Sequence, residues 1–468
     1  MSFERILKKE MMNNFIKIYA VLAIVYLWIN NVCAQTTYSG YFLDDYDYRY
    51  QMNPAFGNET SFVGMPVLGN VNFNMHGNLH VKDVVYTING KSVLFTNPEI
   101  SVTRAMSKFG NTNKAGTSDK VDILSGGFKA FDGYNTVTLS MVANMELSVP
   151  GSFFSLAKEG VTNDTYNIKN MVANANAYYQ LSLNHSRNLA EVPGLRVGVA
   201  FKILVGAGNF RFRFNEASLM LGENEWIART NAEVYASSVG FSYKTEYSDK
   251  TGKNYVSGGD IKGFRPTGFG LGFDFGAEYE WNDFKFSAAA LDLGFINWGH
   301  TRRAYTPGTQ EFTTDAFHFN VDNDAENSFK NEWNRLKHDV AELYQMTEIE
   351  RVSAYKRALA ATLNFGAQYE LPEYRRLHFG LLNSTRINGK YTWTQFRLSA
   401  NVKPVDYFSA DVNLVAGTYG VGFGWLLNFH TTGFNMFLGM DQILGKLAKQ
   451  GVPLNSNSAF NLGINFPF

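Results

Sequence analysis

The sequence predicts an all-β fold: a transmembrane antiparallel β-barrel of about 14 strands, within a range of 12 to 16. Three observations carry this expectation. Apolar and polar residues alternate over runs of about 9 to 13 residues, the length a tilted strand needs to cross a bilayer. The chain ends on such a run, with an aromatic as its last residue. An export signal stands at the other end.

Composition excludes the main rivals. Of 468 residues, 18% are charged and 15% aromatic, with 39 Phe and 25 Tyr. A disordered chain lacks aromatics on that scale. A helical membrane protein needs several apolar runs of about 20 residues, and one such run exists, at the N-terminus. A single cysteine rules out a disulfide scaffold. Basic and acidic residues number 42 each, and no basic stripe stands out, so nucleic acid is not an expected partner.

Residues 1–34 read as a signal peptide. Arg5, Lys8, Lys9 and Lys17 form a basic region, and residues 18–29 form an apolar core. Val32-Cys33-Ala34 supplies small residues for cleavage before Gln35. The core is short for a spanning helix, the alternative reading. Asn30-Asn31-Val32 does not make a lipobox, so Cys33 leaves with the signal. Met11 or Met12 is an alternative initiator.

Residues 35–66 do not alternate and read as a plug-like segment ahead of a barrel over 67–468. Within the barrel, Val137, Leu139, Met141, Ala143, Met145, Leu147 and Val149 share one strand face. Leu195 to Val205 and Leu359 to Leu371 repeat the pattern. Phe269, Leu271, Phe273, Phe275, Ala277, Tyr279 and Trp281 face one way, opposite Gly270, Gly272, Asp274, Gly276, Glu278 and Glu280. The alternating glycines leave room for contents of the lumen. Aromatics gather near run ends, as interfacial girdles require. A large periplasmic sandwich is the soluble alternative, but strands there average nearer 5 or 6 residues. Residues 80–120 and 206–262 do not parse cleanly.

One segment changes period. Phe329, Trp333, Leu336, Val340 and Leu343 recur at helical spacing, predicting a helical loop insertion over about 325–358. It reads as a helix packed over a barrel mouth, or as a gate or docking helix. At the C-terminus, Phe460, Leu462, Ile464, Phe466 and Phe468 alternate with Asn461, Gly463, Asn465 and Pro467. This terminal strand, ending on Phe466 and Phe468, looks like the signal read by barrel-assembly machinery.

No catalytic, metal or cofactor site is expected. His76 and His80 are about 13 Å apart on a strand, too far for one metal. Asp322, Asp324 and Glu326 lack the glycine and closing glutamate of a calcium loop. The glycine strings lack a Lys-Ser/Thr ending. No nucleophile elbow appears, which leaves a hydrolase as a minor reading.

The motifs "FLDDYDYRYQMNPAF", "GMPVLGNVNF", "GGFKAFDGYNTVTLSM" and "ALDLGFINW" together resemble a Bacteroidota outer-membrane barrel family classed as a domain of unknown function. More distantly, Asn53-Pro54-Ala55 is similar to the hatch of fatty-acid-transporter-like barrels, some relatives of which are carriers in a secretion system. That likeness implies a plug inside the barrel, with Asn53, Pro54, Ala55 and Phe56 as plug or ligand-gating residues. The preceding stretch is acidic and Tyr-rich here, where fatty-acid transporters are rich in Gly and Ala.

The expected function is a passive channel or carrier for a small compound, hydrophobic if the distant likeness extends to substrate. The alternative is a non-catalytic scaffold subunit of an envelope secretion or adhesion complex. The expected location is the outer membrane, after export. Expected partners are outer-membrane lipid, the barrel-assembly machinery, and a small hydrophobic ligand or an envelope protein.

Overall fold

The computed structural model describes residues 38–58, 60–88, 91–159, 165–167, 169–221, 226–249, 252–263, 265–314, 346–353, 355–441 and 458–468. The signal segment, the acidic triplet Asp322, Asp324 and Glu326, and the helix-period residues Phe329, Trp333, Leu336, Val340 and Leu343 lie outside them.

Alternation dictates a sheet with two unlike faces, and the chain closes that sheet into a transmembrane barrel of 14 antiparallel strands. In order these are β1 (Phe62–Gly64, resuming at Val71–Gly77), β2 (Thr112–Ala130), β3 (Gly133–Pro150), β4 (Val172–Asn188) and β5 (Leu195–Leu221). Next come β6 (Trp226–Ser237, resuming at Gly268–Trp281) and β7 (Phe284–Trp298, resuming at Thr301–Tyr305). β8 runs in three pieces, Glu348–Val352, Tyr355–Ala358 and Ala361–Glu370. Then follow β9 (Leu377–Ile387), β10 (Trp393–Val405), β11 (Phe408–Gly417), β12 (Gly420–Thr431), β13 (Phe434–Asp441) and β14 (Ser458–Pro467).

Closure is made by β1 against β14, with Phe62 opposite Pro467 and Val71 opposite Leu462. The Phe468 amide then donates to the Ser61 carbonyl at 2.8 Å. A closed sheet leaves no unpaired edge in lipid. The C-terminal alternation thus forms the seam strand, with Phe466 and Phe468 on the outside.

The two faces are inverted relative to a soluble protein. Phe275 is 51% exposed, while its neighbour Asp274 is 4% exposed. Phe396, Leu398, Leu414 and Leu381 likewise face outward, whereas Asn364, Ser384, Asn401 and Asn461 are buried inside. Apolar residues outside and polar residues inside suit a wall standing in lipid.

The two rims differ. At one, β2–β3, β6–β7, β10–β11 and β12–β13 are joined by two-residue turns. Phe131 and Asp132 both take positive φ in the first of these, the geometry that continues strand twist. At the other rim most connections are longer, β11–β12 with its two-residue turn excepted, and β5, at 27 residues, projects beyond the span a membrane requires. There the segment 80–120 resolves into the ribbon Val85–Ile88 with Lys91–Leu94, the helix Val102–Met106 and the start of β2. With the helix Gly151–Glu159 it packs a small aromatic core, in which Phe109 stacks on Phe154 at 3.9 Å.

The helical insertion does not extend to residue 358. Glu348–Val352 and Tyr355–Ala358 are strands, paired with Thr301–Tyr305 and Phe295–Trp298. Ile349 is exposed while its neighbours are charged, so side-chain period and ladder pairing both favour strand there.

The stretch 206–262 holds the far half of β5, the first piece of β6 and a hairpin outside the wall. Trp226–Ser237 pairs with the far half of β5, and Gly268–Tyr279 pairs with its near half. Between them residues 238–267 leave the wall as the hairpin Phe241–Ser248 with Lys253–Ile261. Nearby, β4 and β5 carry a bulge between Ala177 and Tyr178, β7 breaks at Gly299-His300, and β8 breaks at Leu359-Ala360. Five adjacent strands are therefore irregular in one region. Thr267 stitches it, donating to Gly206 O at 2.8 Å and accepting from the Gly299 amide.

Candidate functional site

The site has two parts, an N-terminal segment inside the short-turn half of the barrel and a cavity on its long-loop side. The segment begins as a string of tight turns, Tyr38 to Gln51, that β pairing does not claim. Its side chains explain its place. Tyr41, Phe42, Tyr46, Tyr48, Tyr50 and Phe56 are all buried. They pack on one another and on wall residues, edge-on for Tyr46 with Phe437 (4.9 Å) and Tyr48 with Phe62 (5.5 Å). Rings meeting this way add about 0.5–1.5 kcal/mol each beyond area burial. Phenolic oxygens then reach polar wall groups: Tyr48 with Ser125 at 2.9 Å, Tyr50 with Thr138 at 2.7 Å. Tyrosine, apolar in body and polar at its tip, suits an aromatic segment lodged against a hydrophilic wall. Burial pushes the Tyr41 phenol up to about 12, against its hydrogen bond with Ser287.

The four residues picked out by sequence lie together here. Asn53 is fully buried, and its Nδ2 donates to the Ala277 carbonyl (3.1 Å) on β6. Its Oδ1 accepts from the Ala55 amide at 2.9 Å, an Asx turn that Pro54 completes. The Pro54 carbonyl accepts from Asn184, and the Arg49 guanidinium covers the Phe56 ring at 4.3 Å. Two wall glycines make room for the turn. A Cβ on Gly276 would stand 1.9 Å from Asn53 Oδ1, and one on Gly198 would stand 2.0 Å from the Pro54 carbonyl. The backbone approaches too closely for any other residue.

Charges anchor the segment at both ends. At its start, the Tyr38 amide and Ser39 hydroxyl donate to Asp441. Asp441 also pairs with Arg397 at 2.7 Å, both side chains being 1% exposed. Further on, burial disfavours an ionised Asp44, but Arg49 and Lys285 outweigh it and hold the carboxyl below its ordinary value. Asp45 meets Lys403 at 3.1 Å and His430 at 3.2 Å. Asp47 differs. Burial pushes its carboxyl up to about 6, although Asn435 donates to it at 2.7 Å.

Beyond the segment lies a cavity open to the lumen. It borders the irregular region of the wall, where Ile296, Trp298 and Leu359 line it. Most of the rest of its lining is polar: Asn144, Glu146, Asn176, Arg357, Arg386 and Asn388 among others. Asp292, on the same wall, is held by Lys202 at 2.6 Å, and Lys202 is shared with Asp274 at 2.7 Å. Sequence reasoning placed Asp274 on the inward face but did not single out the other charged residues or Arg397 and Asp441. Parity was the available signal for Lys202, Arg386 and Arg397, each on an alternating strand; Arg357 lay in the stretch read as helical, and Asp292 takes a positive φ.

The histidine pair does not converge. His76 lies on β1 beside Asn74, and His80 precedes the helix Val81–Val84. Among the described residues no three His, Cys, Asp or Glu side chains come together as a metal site.

The profile of a family described as "Family of unknown function (DUF5723)" matches residues 54–441. The chain belongs to this family. No curated protein matches it. Among solved structures it is similar to the toluene transporter TodX of Pseudomonas putida, 9% identical over 90% of this chain and 93% of that one, with a TM-score of 0.42. It is also similar to a FadL homologue of Pseudomonas aeruginosa, 10% identical over 89% and 92%, with a TM-score of 0.40. The translocator domain of the autotransporter NalP from Neisseria meningitidis is 8% identical over 93% and 100%, with a TM-score of 0.31. At these scores the likenesses carry no argument about substrate or mechanism.

Proposed function

We propose that the protein is an outer-membrane barrel acting as a passive channel or carrier for a small compound, with its N-terminal segment as the plug. The observation that carries this reading is the lodging of residues 38–58 inside the wall, directly below an open polar cavity. A compound would enter from the long-loop rim and rest in the cavity. It would leave when the plug shifts, or sideways through the irregular region of β4 to β8. That region departs most from regular pairing, with a bulge, a split strand and two strand breaks. The cavity's amides and charges favour a polar compound over a hydrophobic one.

The test is deletion of residues 36–56. The shortened protein should still fractionate with the outer membrane and shift on unheated gels, and it should leak small solutes in planar-bilayer recordings. Unchanged conductance, together with rapid labelling of an Ala55→Cys variant by a bulky periplasm-side thiol reagent, would overturn the plug. Loss of a co-purifying envelope protein would then favour the scaffold alternative.

A further inference from the structure

The cavity above the N-terminal segment has an electrostatic pattern that selects among small polar compounds. Arg357 and Arg386 line it from the adjacent strands β8 and β9. Among the described residues neither guanidinium forms an ion pair with a carboxylate. Arg357 donates to Asn209 at 2.7 Å, and Arg386 donates to Asn144 at 3.4 Å. A guanidinium carries five N–H donors in a planar fork, so most of this capacity is unspent on the protein. Two carboxylates on other strands also line the cavity, Glu146 on β3 and Asp292 on β7, and Asp292 is already held by Lys202 at 2.6 Å. Asn174 and Asn388 each donate one bond to Glu146, and a carboxylate offers about four acceptor sites.

Two guanidiniums and one carboxylate, Glu146, thus line the cavity without an ion pair among the described residues, on separate strands. An anion gains at the arginines and loses at the acids, and a cation does the reverse. A solute carrying both charges gains at both. The asparagine amides Asn144 and Asn176 supply donors and acceptors between the two poles, and Trp298 and Ile296 supply a small apolar surface on one side.

We infer that this cavity binds a small zwitterion, an amine-carboxylate, with its carboxylate on Arg357 and Arg386 and its ammonium on Glu146. The inference rests on the channel or carrier reading and names its substrate class. Bidentate arginine contacts fix the carboxylate end. The mixed-charge wall discriminates against solutes with only one of the two charges.

The experiment is calorimetry on the full-length protein in detergent with four probes: the dipeptide Gly-Phe, its N-acetylated form, its C-terminal amide, and octanoate. The dipeptide should bind, and each blocked form should bind about tenfold more weakly, the cost of one lost charge-assisted contact. The double substitution Arg357→Gln/Arg386→Gln should weaken dipeptide binding and erase its advantage over the amide. Glu146→Gln should erase its advantage over the N-acetyl form. Equal binding of all three peptide probes, tighter binding of octanoate, or no binding at all would overturn the inference. These ligand comparisons stand on the unsubstituted protein if a variant fails to assemble. Failure here would leave the plug test intact, because leakage after deletion of residues 36–56 does not depend on what the cavity binds.

Discussion

The ion pair between Arg397 and Asp441 offers the sharpest test of how the N-terminal segment is held. Asp441 accepts from Arg397 Nη1 at 3.0 Å and Nη2 at 2.7 Å, and from the Tyr38 amide at 3.1 Å. Arg397 Nη1 also reaches Ser39 and Asn413. Both charges are 1% exposed, so neither can fall back on water. Arg397→Met removes the cation and strands the carboxylate, a change that costs about 3–5 kcal/mol in buried pairs. At about 1.4 kcal/mol per tenfold, that lowers the equilibrium constant for seating by roughly two to more than three powers of ten. The barrel itself should assemble, since its lipid-facing surface is untouched. The double variant Arg397→Met/Asp441→Leu removes the stranded charge and should recover most of the loss, keeping only the missing bonds to Tyr38 and Ser39. The assay is planar-bilayer recording of spontaneous openings, alongside thiol labelling at a cysteine placed at Ser39. If the single and double variants open equally often, or if neither differs from the parent, the pair does not hold the segment and the reasoning fails.

Three further outcomes are expected. Gly276→Val puts a side chain where Asn53 Oδ1 sits, 1.9 Å from the new Cβ, and should raise openings without lowering assembly yield; an unchanged recording would show that the turn shifts at no cost. Asp47 has a raised carboxyl pKa of about 6, so its contribution to seating is fully present below the ordinary carboxylate value and is lost as pH rises through about 6; openings should be rarer at pH 5 than at pH 7.5, and Asp47→Asn should flatten that part of the profile, leaving whatever Asp45 and His430 contribute. Phe275→Arg places a charge on the lipid face at a cost of about 2–4 kcal/mol near the midplane, whereas Glu278→Arg stays in the lumen; folding in vesicles should suffer more from the first, and the reverse order would mean that the wall parity is wrong.

Much of the wall was legible because lipid imposes a period of two on every spanning strand. The run from Phe269 to Trp281 shows why: Phe275 had to face out, and Gly276 and Glu278 therefore had to face in. The glycines on that inward face even marked where contents of the lumen would press. What stayed illegible has physical causes too. β6 is split by a hairpin that itself alternates, so a reading by period sees extra strands where the sheet has one position. Residues 348–358 carry Glu and Arg on both sides of Ile349, which suits a strand projecting past the membrane but reads equally well as a polar helix. Arg397, Asp441, Arg357 and Arg386 sit on four separate strands. Nothing in their spacing reports that β10 and β13, or β8 and β9, bring them to one place; only strand order and register do.

The anchoring of Tyr38 by Asp441 joins positions 403 residues apart. A segment near the start of the described residues is therefore secured by a strand near their end. Its aromatic cluster rests on both: Tyr48 on Phe62 and Tyr46 on Phe437. Bringing ends together over such a distance costs little more than over half of it, about 0.6 kcal/mol per doubling. The segment thus ties together the strands on either side of the closing seam, and damage near the C-terminus would be felt at the opposite end of the chain.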